Sequence, residues 1–382
     1  MIEPHFTPLP GFRRPRGLIG MLILLLVVEV VIGRFDRYLE GPISYEWRFA
    51  DRAARSEAHD CEVLCFGDSL IKNGILPRAF EASTGLRGYN LAVGGGQAPA
   101  NYYLLKHALD SGARPSAIVT NFSPGLLQLG PGHNRDHWAS LTDPFEGIEL
   151  ARMARDPDLL ASMTLIHALP SVRYRPAIRD RLGKQFGRPS VLDWRMNHVI
   201  GRTMRVNRGP LVMPSQPFAF PDPEGYTRSY FPPDWHPHPL NELYVHRFLD
   251  LAESYSIPVF WLIPPCHPEI HLRIEHSEYV IRFGDYLDRI LAQYPRLIVV
   301  DGSRSKYDSS LFWDPQHLGR SGAAILSEDL AFILDQSLKS EGMEHNGDLE
   351  LPDAEIRPIA VVIEDVVESR AEVRNAWLRR RQ

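Results

Sequence analysis

The residues most able to do chemistry centre on one serine. In "CFGDSLIKNG" (65–74), Gly67, Asp68, Ser69 and Leu70 follow a short apolar run. A serine hydroxyl is a weak nucleophile near neutral pH and needs an adjacent base. Histidine is the usual base, held in the right tautomer by a carboxylate. The chain has 15 histidines, so position has to select among them. "FWDPQHLGRSG" (312–322) offers Asp314 and His317 on one loop, able to supply base and orienter together. An acyl-transfer site also needs donors for the oxyanion. "GYNLAVGGG" (88–96) ends in Gly94, Gly95 and Gly96, and "VTNFSPG" (119–125) contains Asn121 and Ser123.

Each residue also has a plainer reading. Ser69 could be a helix cap, Asp314 a turn residue and His317 a loop histidine. The glycines could only form a tight turn, and Asn121 an Asx turn. Asp68 reads as a loop organiser rather than a catalyst.

The elements that would position these residues are legible as short apolar runs. Strands are expected at 61–67, 88–96, 116–122, 257–265 and 296–303. Amphipathic helices are expected at 97–112, 239–256, 278–294 and 321–338. Strands alternating with helices imply an α/β fold with a five-stranded parallel sheet covered on both faces. Ligands of such sheets bind at the carboxyl ends of the strands. Ser69, Gly94 to Gly96 and Asn121 all fall just past expected strand ends. Residues 130–238 exceed what one crossover needs and read as an insertion capping that edge. Residues 145–205 of it look helical in pieces, while 210–239 carry nine prolines and should be extended. The segment 34–60 reads as a linker with a short helix. The tail, 339–382, offers a candidate strand in "IAVVIEDVV" (359–367).

The chain has 382 residues, with 44% apolar and 23% charged residues and a net charge of -5. These are globular values, and no basic, aromatic-studded stripe points to nucleic acid. Cys61 and Cys65 are about 13 Å apart along one expected strand, too far for a mutual disulfide. Cys266 is the more accessible thiol. His133 and His137, His267 and His271, and His236 with His238 lack a supporting metal pattern, and His236 or His238 could instead line the cleft. No nucleotide fingerprint is present, and no cofactor or metal is expected. "GLIGMLILLLVVEVVIG" (17–33) is almost wholly apolar, preceded by Arg13, Arg14 and Arg16. It covers about 25 Å as a helix against a hydrocarbon core of about 30 Å. We read an uncleaved signal anchor with a cytoplasmic N-terminus and the rest outside the cytoplasm. A cleaved signal peptide and a buried core helix are the alternatives.

Gly67-Asp68-Ser69-Leu70 after the first strand, with Asp314-x-x-His317 before the last helix, resembles the GDSL or SGNH hydrolase superfamily. The resemblance spans 61–338 without the insertion. It implies a flavodoxin-like three-layer sandwich with Ser69, Asp314 and His317 as catalytic triad. It further implies an oxyanion hole from the Ser69 N–H, a glycine N–H and an asparagine side chain. Counting from Asn90 favours Gly95, with Gly94 and Gly96 as neighbours. The family's third motif, Gly-x-Asn-Asp, is absent, so Asn121 is the candidate donor and Ser123 the fallback. The layout is similar to bacterial proteins that add or remove acetyl groups on cell-surface polysaccharides. The expected substrate is thus an acylated carbohydrate or other ester. An O-acyltransferase would need a membrane partner to deliver its acyl group, and a non-catalytic SGNH scaffold is a further alternative.

Overall fold

A computed structural model of the chain describes residues 16–186, 195–215, 220, 222–340, 349–359 and 361–379. Arg13 and Arg14, expected to mark the cytoplasmic side, lie outside the described residues. The apolar N-terminal run forms α1 (Arg16–Arg34). Among the described residues it is the one helix long and apolar enough to cross a membrane. Its window Gly17–Arg34 has a mean hydropathy of 2.3 and none of it is buried in the protein.

The segment expected as a linker is instead structural. It holds α2 (Pro42–Ser56), whose Trp47, Ala50, Ala53 and Ala54 are buried in the main core. Its apolar face is made chiefly of alanine, so the sequence there reads as polar although the face is continuous.

The domain is built on six parallel strands: β1 (Val63–Phe66), β2 (Gly88–Asn90), β3 (Ala117–Thr120), β4 (Val259–Ile263), β5 (Leu297–Asp301) and β6 (Leu349–Glu350). Their order is β2-β1-β3-β4-β5-β6. The sheet therefore has six strands where five were expected. The extra edge strand is only two residues long, paired with Val300 and Asp301 of β5. So short a strand leaves no periodicity to read. The tail run expected as a strand is not one at its described residues. Asp365 accepts from the N–H groups of Val367 (2.8 Å) and Glu368 (3.0 Å), and Glu368 accepts from the Asp365 N–H (3.0 Å). This reciprocal cap starts a helix, Val366–Arg379, in the middle of the apolar run.

Period-two alternation assigns the strand side chains to two layers. Leu64, Phe66, Ile118, Trp261 and Val299 face one core. Val63, Cys65, Val119, Phe260 and Val300 face the other. Four further helices frame the site: α3 (Ser69–Gly74), α4 (Ala98–Asp110), α5 (Pro239–Ser254) and α6 (Glu278–Leu291). A fifth, α7 (Arg320–Lys339), packs with Pro77–Thr84 and α3 on the second face. The first face is covered by α2, α4, α5 and α6. The insertion is helical in pieces over its first part, as expected, and the described residues of 210–238 are irregular except for Pro223–Tyr230, two helical turns capped by Asp222.

Candidate active site

The β1 strand ends at Gly67, whose φ of +144° is a conformation side chains disfavour. A Cβ there would lie 2.0 Å from Asn121 Oδ1, so glycine lets the chain after β1 close on the chain after β3. Asp68 then caps α3, its Oδ1 accepting from Leu70 N–H at 2.8 Å. Ser69 is the first residue of that helix. Asn90, at the end of β2, fixes the other end of α3. Its Nδ2 donates to the carbonyls of Ile71 (2.8 Å) and Ile75 (2.9 Å).

The loop after β5 brings His317 to the serine. Ser69 Oγ lies 2.7 Å from His317 Nε2. His317 Nδ1 lies 2.7 Å from Asp314 Oδ2 and 2.9 Å from Oδ1. A carboxylate can only accept, so Nδ1 carries the proton and Nε2 is left to accept from the serine hydroxyl. Asp314 also accepts from the backbone N–H of Gln316 (2.9 Å) and His317 (2.8 Å). Burial pushes the Asp314 carboxyl up, but the His317 hydrogen bond and charge and these backbone donors outweigh it. The group is held below the ordinary carboxylate value of 3.8 and stays ionised at neutral pH.

The glycine turn separates three N–H groups by their engagements. Burial pushes the Glu46 carboxyl up, while Lys72 and the Gly94 N–H act against it. Glu46 Oε2 lies against Gly94, and Gly94 O accepts from Trp47 Nε1 at 2.9 Å. Gly96 N–H donates to Val93 O at 3.0 Å. Gly95 N–H, like Ser69 N–H, has no acceptor among the described residues. Gly95 has φ +68°, a left-handed conformation that favours glycine, and Asn134 Nδ2 holds its carbonyl at 2.8 Å. Lys72, 1% exposed, lies 3.7 Å from Glu46 Oε2 and 3.3 Å from Ala92 O, behind the turn. Burial pulls its ammonium below the usual lysine value.

Asn121 is tied to Asp68 by both ends of its amide. Its Oδ1 accepts from Asp68 N–H at 3.2 Å and its Nδ2 donates to Asp68 Oδ1 at 3.0 Å. An amide nitrogen carries two N–H bonds, so one remains for a ligand. Ser69, Gly95, Asn121, Ser123 and His317 all line one cavity of about 660 Å³. Gly95 and Asn121 are thus brought together with Ser69 and His317, and Asp314 joins them through His317, whereas Gly94 and Gly96 do not line the cavity. Ser123 faces the same cavity and starts the short helix Pro124–Leu127. His236 and His238 do not line it, but His133 does. His238 caps α5 instead. The Cys266 thiol is on the wall, and burial pushes it up to about 12, which makes it a poor thiolate. Among the described residues no three His, Cys, Asp or Glu groups converge on a metal position.

Several supporting residues escaped the sequence reading. Trp47 and Glu46 grip the glycine turn from a segment expected as linker, and Asn134 steadies it from the insertion. Only the Ala50, Ala53, Ala54 spacing of α2 hinted at a buried face. No protein-family model matches the chain, and no curated protein matches it.

Proposed function

We propose that the protein is a serine-dependent acyl ester hydrolase of the SGNH type, tethered by α1 and working outside the cytoplasm. The observation that carries this is the linear arrangement Asp314–His317–Ser69, with links of 2.7 Å and 2.7 Å, at the carboxyl edge of a parallel sheet. Capping and turn formation account for each residue singly but not for this convergence.

In this mechanism Ser69 Oγ attacks the ester carbonyl carbon while His317 Nε2 takes the hydroxyl proton. Asp314 stabilises the resulting imidazolium and keeps its ring oriented. The N–H groups of Ser69 and Gly95 and the free N–H of Asn121 receive the oxyanion. Collapse breaks the ester C–O bond, and His317 returns its proton to the leaving alkoxide. Water then attacks the acyl-serine, giving its proton to His317. Collapse of that intermediate breaks the C–Oγ bond, His317 returns its proton to Ser69 Oγ, and the carboxylic acid is released.

The apolar α1 and the arginines ahead of it support a membrane tether with the catalytic domain on the far side. The resemblance drawn from the sequence favours acyl groups carried on cell-surface glycans. The test is fluorophosphonate labelling of the full chain in nanodiscs, beside Ser69→Ala and His317→Ala. Labelling should vanish in the first and fall strongly in the second. A folded wild-type chain that takes no label, or label that survives Ser69→Ala, would overturn the reading. Product formed only with a sugar acceptor would move the assignment to O-acyltransferase.

A further inference from the structure

The cavity is chemically divided. Gln316 adjoins His317 in the loop, and Asn121, Gln128 and His133 add further polar lining. Beyond them it continues between the ends of β4 and β5 and the inner side of α6. Trp261, Tyr279, Phe283, Leu287, Leu291 and Val299 form this arm. Two carboxylates also reach its wall. Asp288 is exposed, and Asp301 Oδ1 accepts from the Ser303 N–H at 2.8 Å. Neither leaves the arm a set of convergent polar groups such as a sugar requires.

A glycine marks the same arm. Gly284 sits in mid-helix on the wall, and a Cβ built there meets nothing within 4 Å. Glycine inside a helix is unfavourable, and no close approach or positive φ demands it here. A side chain could be added there without displacing a neighbour. An acetyl group bound at Ser69 would leave this apolar arm to water.

We propose that the arm is an acyl-chain subsite, so that the ester cleaved at Ser69 carries a medium-length aliphatic acyl group rather than acetyl. This rests on the hydrolase reading for its chemistry, since the carbonyl carbon must reach Ser69 Oγ. The binding claim stands on the cavity alone. With the carbonyl at the oxyanion donors, the chain runs past Phe122 and Trp261, whose rings meet at 4.8 Å, toward Gly284. The alcohol portion is left at the polar mouth, beside Gln128, His133 and Gln316.

The test uses the full chain in nanodiscs with p-nitrophenyl acetate, butyrate, hexanoate and octanoate. Burying a methylene should raise kcat/KM about fourfold for each one added until the arm is full. Gly284→Phe, which fills the open space, should lower octanoate turnover at least about tenfold more than acetate turnover. Leu287→Ala should shift the optimum to a longer chain. A profile that is flat or falls from acetate, and that Gly284→Phe leaves unaltered, overturns the proposal. Octanoate binding to Ser69→Ala, read by calorimetry, separates the arm from the catalysis. Binding tighter than acetate and weakened by Gly284→Phe supports the arm even if the wild type takes no fluorophosphonate. Equal, weak binding of both anions overturns it whatever the catalytic result.

Discussion

Ser69 Oγ and His317 Nε2 lie 2.7 Å apart although 248 residues separate them in the chain. The short loop after β5 and the helix start after β1 meet because both strands run parallel and end on one edge of the sheet. Asp314 then orients His317 across a local contact three residues long. The long-range contact depends on the whole fold, whereas the local one depends mostly on the loop.

This difference predicts separable effects. Ser69→Ala and His317→Ala should each remove ester hydrolysis to within background while leaving thermal unfolding nearly unchanged. Asp314→Asn should lower kcat by a factor on the order of 10⁴, because the amide favours the wrong imidazole tautomer. The measurement is hydrolysis of a chromogenic ester beside a thermal melt of each variant. Wild-type kcat in Asp314→Asn would remove the orienting role.

Gly67 and Asn121 should be energetically coupled. Gly67→Ala combines a disfavoured φ with a Cβ placed 2.0 Å from Asn121 Oδ1. Strain and overpacking each contribute about 1–3 kcal/mol, so a loss of about 3 kcal/mol or more is expected. Asn121→Ala removes the obstructing atom, so Gly67→Ala should be milder in that background. Urea unfolding of the four chains in a double-mutant cycle reads the coupling. Additive losses would show that the two do not compete for space. Asn121→Ala should also lower kcat about 10²–10³-fold, as expected for one lost oxyanion donor.

The convergence of Ser69, Asp314 and His317 could be anticipated because each sits beside a strong local signal. Gly67 to Leu70 follow a short apolar strand, and Asp314 and His317 fall between a strand and a long amphipathic helix. The five main strands were legible too, because strands covered on both faces read as continuous apolar runs. Their ends were not, since Leu91, Ala92 and Val93 continue the apolar run after β2 has stopped at Asn90. The core role of α2 was hidden because, apart from Trp47, its buried apolar face is made of alanines. The apolar run after Ile359 read as a strand by composition, while Asp365 and Glu368 carried a helix-start signal inside it. No local pattern could announce that Trp47, Glu46 and Asn134 converge on Gly94 and Gly95, since those contacts exist only after folding.

The grip of α2 on the glycine turn predicts a role for a buried ion pair. Lys72→Met would remove the cation beside the buried Glu46, whose carboxyl must then stay unpaired or take up a proton, and should cost about 3 kcal/mol. Adding Glu46→Gln should recover much of that loss, because no carboxyl is then left without its cation. Chemical unfolding of both single variants and the double variant checks this. A double variant as unstable as the sum of the singles would mean that Lys72 and Glu46 act independently. Trp47→Phe should lower kcat more than it raises KM, since it loosens Gly94 beside the oxyanion donor without touching the acyl arm.

A second buried cluster sets a pH dependence of stability. His107 on α4 bridges two carboxylates: Nδ1 lies 2.7 Å from Asp51 Oδ1 of α2, and Nε2 lies 3.0 Å from Glu146 Oε1 of the insertion. Lys106 Nζ is 3.1 Å from the same Glu146 oxygen. Burial pushes the His107 imidazolium down, but the two carboxylates outweigh it and hold the group above 6.5. Burial pushes Glu146 up, but His107, the Asp143 N–H and Lys106 outweigh it and hold the carboxyl at about 2. The His107 contribution is therefore complete below pH 6.5 and is lost as pH rises through its higher folded value. The Glu146 contribution is complete above pH 4.5 and is lost as pH falls toward about 2. Both are present together between pH 4.5 and 6.5. Glu146→Gln should then cost about 3 kcal/mol near pH 6, and the cost should shrink as pH rises through the raised folded value of His107. Unfolding free energies of wild type and Glu146→Gln from pH 4 to 9 test the sign. A gap that widens steadily with rising pH would mean that His107 is not the cation that Glu146 holds.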